Sequence, residues 1–179
     1  MVSRAASGAA AGNRAGTFGQ MLAGFLLLGI AGCAAPPPPP PPPTVVELKM
    51  STTADVNPSA SGQGAPVAVR IYQLASPAGF EKAEFYRLFS ADAATLGADI
   101  VKKDEYLLAP GASRSVTLTP NSTVHSIGVF AGIRDFQKAT WRGTADVPPN
   151  KTTIVTVTAN ASGVTVAAAP APAPAKPAP

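Results

Sequence analysis

The chain has 179 residues, with 14 Lys plus Arg against 10 Asp plus Glu, one Cys and one His. A length of this order holds one core of ordinary size. The single Cys and single His exclude an internal disulfide, a Cys/His zinc site of the usual composition and a CxxC redox pair. The net charge of +4 is no nucleic-acid footprint, because Arg4 and Arg14 sit in an acid-free N-terminal segment and the densest basic spot, Lys102-Lys103, runs straight into Asp104-Glu105.

From the N-terminus, a Gly/Ala-rich stretch with two arginines leads into the apolar run Met21 to Ile30 and then Ala31-Gly32-Cys33. A bilayer span needs about 20 apolar residues, whereas a run of roughly 7–15 behind a positive segment is a secretory signal. Ile30-Ala31-Gly32-Cys33 resembles the lipobox of bacterial lipoproteins, which makes Cys33 the expected lipidation site and 1–32 the expected signal peptide. The sulfur accepts a diacylglyceryl group as a thioether, and cleavage before Cys33 frees an amine for a third acyl chain. One acyl chain binds a membrane marginally while two or three anchor stably. This covalent lipid is the only cofactor expected. Ala34, where an inner-membrane retention signal would place Asp, points to the periplasmic face of the outer membrane.

Eight prolines, Pro36 to Pro43, follow. They read as a polyproline II stalk rising about 3.1 Å per residue, so roughly 25 Å in all. Residues 33–43 are thus lipidated Cys and stalk, and 44–166 the folded domain. Residues 167–179 are expected to be a disordered Ala/Pro tail.

Within 44–166, short alternating runs rich in Val, Thr and Ile are broken by Pro, Gly and Asn, a strand signature. Val45 to Thr52 and Val67 to Leu74 alternate cleanly. Phe80 to Ser90 places Phe85, Leu88 and Phe89 at helical spacing and predicts one amphipathic helix with these residues in the core. Tyr106 to Leu108 is a short strand turning at Ala109-Pro110-Gly111-Ala112 into Ser113 to Leu118. Val124 to Arg134 reads as a central strand buried on both faces, with Gly128 and Gly132 marking close approach or a bulge. Trp141 to Val147, Thr152 to Thr158 and a last short run, Val164 to Val166, complete the set. Seven or eight strands joined by turns predict an all-β, two-sheet antiparallel sandwich with a small added helical element.

The inventory argues against catalysis. His125 is the sole imidazole and no nucleophile sits in a recognisable elbow such as GxSxG. Asp99, Asp104 and Glu105 follow no calcium-loop spacing, so no metal site is expected. Thr53 to Pro66 stands out instead. It is long for a link between neighbouring strands, with Asn57-Pro58 opening a turn and Gly62 and Gly64 allowing unusual backbone angles.

In order, the lipobox, Asp55-Val56-Asn57-Pro58 with Gly62 downstream, and Pro66 to Leu74 (PVAVRIYQL) resemble the TssJ family, outer-membrane lipoproteins of bacterial type VI secretion. Phe80 to Leu88, Tyr106 to Gly111 and Val129 to Arg142 extend the likeness over roughly residues 30–160. The polyproline stalk, the tail and Ile133, where an aromatic would precede Arg-Asp, depart from it. The resemblance implies a transthyretin-like sandwich without enzymatic activity. It also implies that the loop between the first two strands binds the C-terminal periplasmic region of the inner-membrane protein TssM. By position, Ala54, Asp55, Val56, Asn57, Pro58 and Ser59 form the partner-binding loop. The competing reading is a periplasmic lipoprotein whose sandwich binds a ligand or peptidoglycan. One Trp and three Tyr supply few stacking groups for that role.

Overall fold

Eight strands and two short helices follow one another in the computed structural model, which describes residues 37–172. The strands are β1 (Val45–Thr52), β2 (Val67–Leu74), β3 (Ile100–Leu108), β4 (Ser113–Leu118), β5 (Ser126–Ala131), β6 (Arg142–Asp146), β7 (Thr152–Asn160) and β8 (Gly163–Pro170). Helices α1 (Ala78–Lys82) and α2 (Phe85–Leu96) lie between β2 and β3. The strands form two four-stranded sheets, in the orders β4-β1-β7-β8 and β3-β2-β5-β6.

Alternation decides which faces meet. On β1, Val46, Leu48 and Met50 point inward, and on β2 so do Val67, Val69 and Ile71. With Val129 of β5 and Val155 and Val157 of β7 they fill the space between the sheets. This is the two-sheet, antiparallel-dominated sandwich predicted from the sequence. One pair departs from it: β1 and β7 run parallel, in register from Val45↔Thr152 to Thr52↔Ala159. Successive strands alternate in direction along this chain, so two odd-numbered strands placed side by side are necessarily parallel.

Three sequence expectations are corrected. The single helix over 80–90 is two helices, because Ala83 and Glu84 adopt extended backbone between α1 and α2. Phe80 is buried from α1 and Phe85 and Leu88 from α2, whereas Phe89 stays 48% exposed. The third strand begins six residues before Tyr106 and takes in Lys102 to Glu105. It is a sheet edge, where charged side chains are compatible with pairing and discourage a further strand from adding. The last strand runs to Pro170, so 167–170 belong to the sheet and not to the tail. Their ladder to β7 needs backbone groups only, and Pro170 is tolerated at the end of an edge strand.

The helices cover the outer face of the second sheet and make a second core from Tyr72, Leu74, Phe80, Phe85, Leu88, Leu96 and Phe130. All six residues of β5 are therefore buried, as expected of a strand covered on both faces. Gly128 makes room for this packing: a Cβ would lie 2.8 Å from Leu74 Cδ1 and 3.2 Å from the Phe80 ring, so the buried side chains there would have to shift.

A polar clamp completes this packing. The Asp92 carboxylate of α2 accepts 2.8 Å hydrogen bonds from the Tyr72 hydroxyl of β2 and from Lys103 Nζ of β3. Burial pushes Asp92 toward the neutral form, but the bonds from Lys103 and Tyr72 outweigh it and hold the carboxyl below its ordinary value. Burial, reinforced by Asp92, raises the Tyr72 phenol far above its usual range. Arg70 of β2 donates to Glu105 Oε2 at 2.7 Å and to the carbonyls of Leu88 and Phe89 at 3.0 and 2.9 Å. Lys103 and Glu105, from the charged run Lys102 to Glu105, thus both hold structure.

Candidate functional site: the loop between the first two strands

The chain enters β1 beside Lys151, whose carbonyl accepts from Val45 N, and leaves β1 at the opposite end of the sheet. Eight residues at about 3.3 Å each carry it roughly 25 Å. The segment from Thr53 to Pro66 is therefore presented at the end of the sandwich remote from the chain's entry.

This loop has a defined conformation. Thr53 N donates to Ala159 O of β7, and Thr53 O accepts from Gly111 N of the β3–β4 turn. Thr52 Oγ1 donates to Ala109 O at 2.6 Å. Further on, Ala65 N returns to Val56 O at 2.9 Å, and the tip is closed by Ser59 N to Gln63 O at 2.7 Å and Gly62 N to Ser59 O at 2.9 Å. Gly62 has φ +81°, and a Cβ on Gly64 would collide with the carbonyl of Ala54, so both glycines are required by the path.

Asn57 is the keystone. Its φ of 47° lies in the left-handed region that Asn tolerates better than most residues. Its Nδ2 donates to Pro66 O at 2.9 Å, tying the two ends of the loop together. Its Oδ1 accepts from Arg134 N at 2.9 Å, tying the loop to the segment after β5. Arg134 then donates from its guanidinium to Pro58 O at 3.2 Å.

The six residues assigned to the loop thus divide by burial. Ala54 and Asp55 are exposed, Pro58 and Ser59 half-buried. Val56 is wholly buried in the main core and Asn57 is 7% exposed. The last two hold the loop in shape, while Ala54, Asp55 and the tip from Ser59 to Gln63 offer surface. Asp55 is itself steadied by a hydrogen bond from the Thr53 hydroxyl. The Asn57–Arg134 contact spans 77 positions and carries no local mark, because an Asn-Pro turn leaves the partner of the Asn side chain open.

Beside the loop lies an open cleft of about 360 Å³ lined by Asn57, Phe85, Tyr86, Phe89, Ile133 and Phe136, among others. Phe85 stacks on Phe136 at 4.2 Å between centroids and meets Trp141 edge-on at 5.2 Å. The only Trp is half-buried and packs against both cores. His125 is exposed, and its backbone N donates to Leu74 O. Among the described residues no group of three or more His, Cys, Asp or Glu is arranged to hold a metal ion. Cys33, expected to be lipidated, the expected signal peptide 1–32, residues 34–36 and residues 173–179 lie outside the described residues.

A two-sheet β-sandwich with a helical cover on one face and a pinned β1–β2 loop is the class of fold. A family model described as "Type VI secretion lipoprotein, VasD, EvfM, TssJ" matches residues 44–162, and the chain belongs to this TssJ family. The fold is similar to that of the T6SS lipoprotein TssJ1 from Pseudomonas aeruginosa, with 37% identity and a TM-score of 0.70 over 73% of this chain and 100% of that one. It is also similar to a chain of a type VI membrane complex, with 29% identity and a TM-score of 0.58 over 69% of this chain and 98% of that one. A third similar chain is in the structure reported as T6SS protein TssM C-terminal domain (869–1107) from EAEC, with 28% identity, a TM-score of 0.58 and coverage of 68% and 99%. Among curated proteins none matches the chain.

Proposed function

We propose that this lipoprotein is a non-enzymatic tether: lipid on Cys33 holds it to the periplasmic face of the outer membrane, and the β1–β2 loop grips the C-terminal periplasmic region of TssM. The observation that carries the reading is the loop itself. It is long, lies at the end of the sandwich remote from the start of β1, and is pinned by Asn57 while Ala54, Asp55 and the 59–63 tip stay accessible. A loop that pays little ordering entropy on association suits specific protein capture.

Two comparisons support the partner. One similar chain comes from a type VI membrane complex, and the other from a structure reported by its TssM C-terminal domain. That second chain is spanned almost fully by about two thirds of this one, and so is much shorter than the TssM stretch 869–1107. Lipid residence and partner specificity are then separate tasks, one resting on acyl chains and the other on a few anchor residues.

The test keeps the loop's supports and changes its surface. A variant with Ala54→Arg, Asp55→Arg and Ser59→Arg, leaving Val56 and Asn57 intact, is expected to melt like the wild type and to lose binding to the TssM C-terminal region. Wild-type affinity in that variant would refute the loop assignment.

A further inference from the structure

Four large hydrophobic side chains are exposed among the described residues: Tyr86 (64%), Phe89 (48%), Leu107 (73%) and Val101 (37%). The first three share one place. Leu107 of β3 pairs directly with Ala68 of β2, and Ala68 alternates with the core residues Val67 and Val69, so both side chains lie on the sheet's outer face. On the other side of Ala68, its carbonyl accepts from Gly132 N at 2.8 Å. A Cβ on Gly132 would lie 3.7 Å from Ala68 Cβ and 3.9 Å from Phe89 Cε2. Ala68 and Gly132 therefore floor a shallow apolar trough walled by Leu107 on one side and by Phe89, Tyr86 and Phe136 on the other.

We infer that this trough is a second docking subsite, continuous with the β1–β2 loop, for an apolar segment of the same partner carrying a carboxylate beside Arg134. The inference rests on the tethering role above and extends the contact from the loop onto the helix-covered face. Continuity is physical, since Asn57 both pins the loop and lines the aromatic cleft, and Arg134 bonds to the loop backbone at Pro58. The wall is also braced at Phe89. Arg70 donates to the carbonyls of Leu88 and Phe89 and lies 5.8 Å from the centroid of the Phe89 ring, so α2 is tied to β2 at the Phe89 side of the trough. Contiguous exposed apolar side chains on a fixed frame are what a binding anchor needs. Arg134 supplies the charge preference: its exposed guanidinium makes no ion pair among the described residues, while its neighbour Asp135 is paired with Lys138.

The experiment measures affinity of the full chain, in detergent, for the TssM C-terminal region. Three variants are compared with wild type: Tyr86→Ser combined with Leu107→Ser, Arg134→Glu, and the triple loop-surface variant. Both patch residues are mostly exposed, so melting should be unchanged. The patch variant is expected to bind at least tenfold more weakly, and Arg134→Glu to bind weakly and with a flatter salt dependence while Arg134→Lys stays near wild type. If the loop variant loses binding and the patch and Arg134→Glu variants bind like wild type, the trough is no subsite and the tether reading stands. If the patch variant loses binding and the loop variant does not, the trough is upheld and the loop assignment fails. If no variant changes binding, both fail. Should the patch variant melt early, the two Arg134 variants decide: equal affinity of Glu and Lys overturns the inference.

Discussion

The side-chain oxygen of Asn57 accepts a 2.9 Å hydrogen bond from the backbone N of Arg134, so the loop that opens the sandwich is locked to the segment that follows its central strand. The same side chain holds Pro66 O, and its own backbone sits at positive φ. One buried amide thereby fixes the shape of the loop from Thr53 to Pro66.

Asn57→Ala should therefore cost more than a loop substitution usually does. It removes a donor and an acceptor from a buried site, leaving Pro66 O and Arg134 N without that partner, which is worth about 1–3 kcal/mol. Asn57→Gly restores the backbone freedom but not the hydrogen bonds. Thermal melts should place Asn57→Gly between wild type and Asn57→Ala, and hydrogen exchange at Arg134 N should accelerate in both.

Phe80→Ala should detach the helical cover. The ring is fully buried against Tyr72, 5.4 Å between centroids, and against Gly128. Emptying such a site costs about 3–5 kcal/mol. Denaturant unfolding should show that loss, and Asp92 should lose its bond to Tyr72 as α2 loosens.

Asp92 makes stability pH-dependent with a definite sign. Its folded value lies below the ordinary one, so its contribution is present above the unfolded value of about 3.9 and disappears as the pH falls through the folded value. The stability difference between wild type and Asp92→Asn should be constant at neutral pH and shrink below pH about 4. A difference that grew on acidification would contradict the clamp formed by Tyr72, Lys103 and Asp92.

Much of this architecture is legible in the amino-acid order, for physical reasons that also mark where legibility stops. β1, β2 and β7 each bury one face or both, and their alternation states it directly. β3 and the end of β8 are edges whose pairing uses backbone groups, so charged residues such as Lys102 and small ones such as Ala168 hide them. The break between α1 and α2 at Ala83 and Glu84 carries neither Gly nor Pro, and so leaves no local mark. The loop is visible from its length, but nothing in its sequence marks Val56 as a member of the main core. The run Ile30 to Cys33, which resembles a lipobox, is the reverse case, read from the sequence and lying outside the described residues.

Lipidation predicts that Cys33→Ser leaves the sandwich folded and releases it from the membrane fraction. The thiol's replacement removes the only acyl acceptor of its kind in the chain. Retention of the variant in washed membranes would contradict anchoring at this position.

The central claim is that the end of the sandwich bearing the β1–β2 loop, not the end where the chain enters, holds TssM. Photo-crosslinking in intact cells separates the two, with the reactive group placed either at Asp55 in the loop or at Lys151 beside the start of β1. The account predicts that TssM is trapped from Asp55 and not from Lys151. Trapping from Lys151 with none from Asp55 would contradict it.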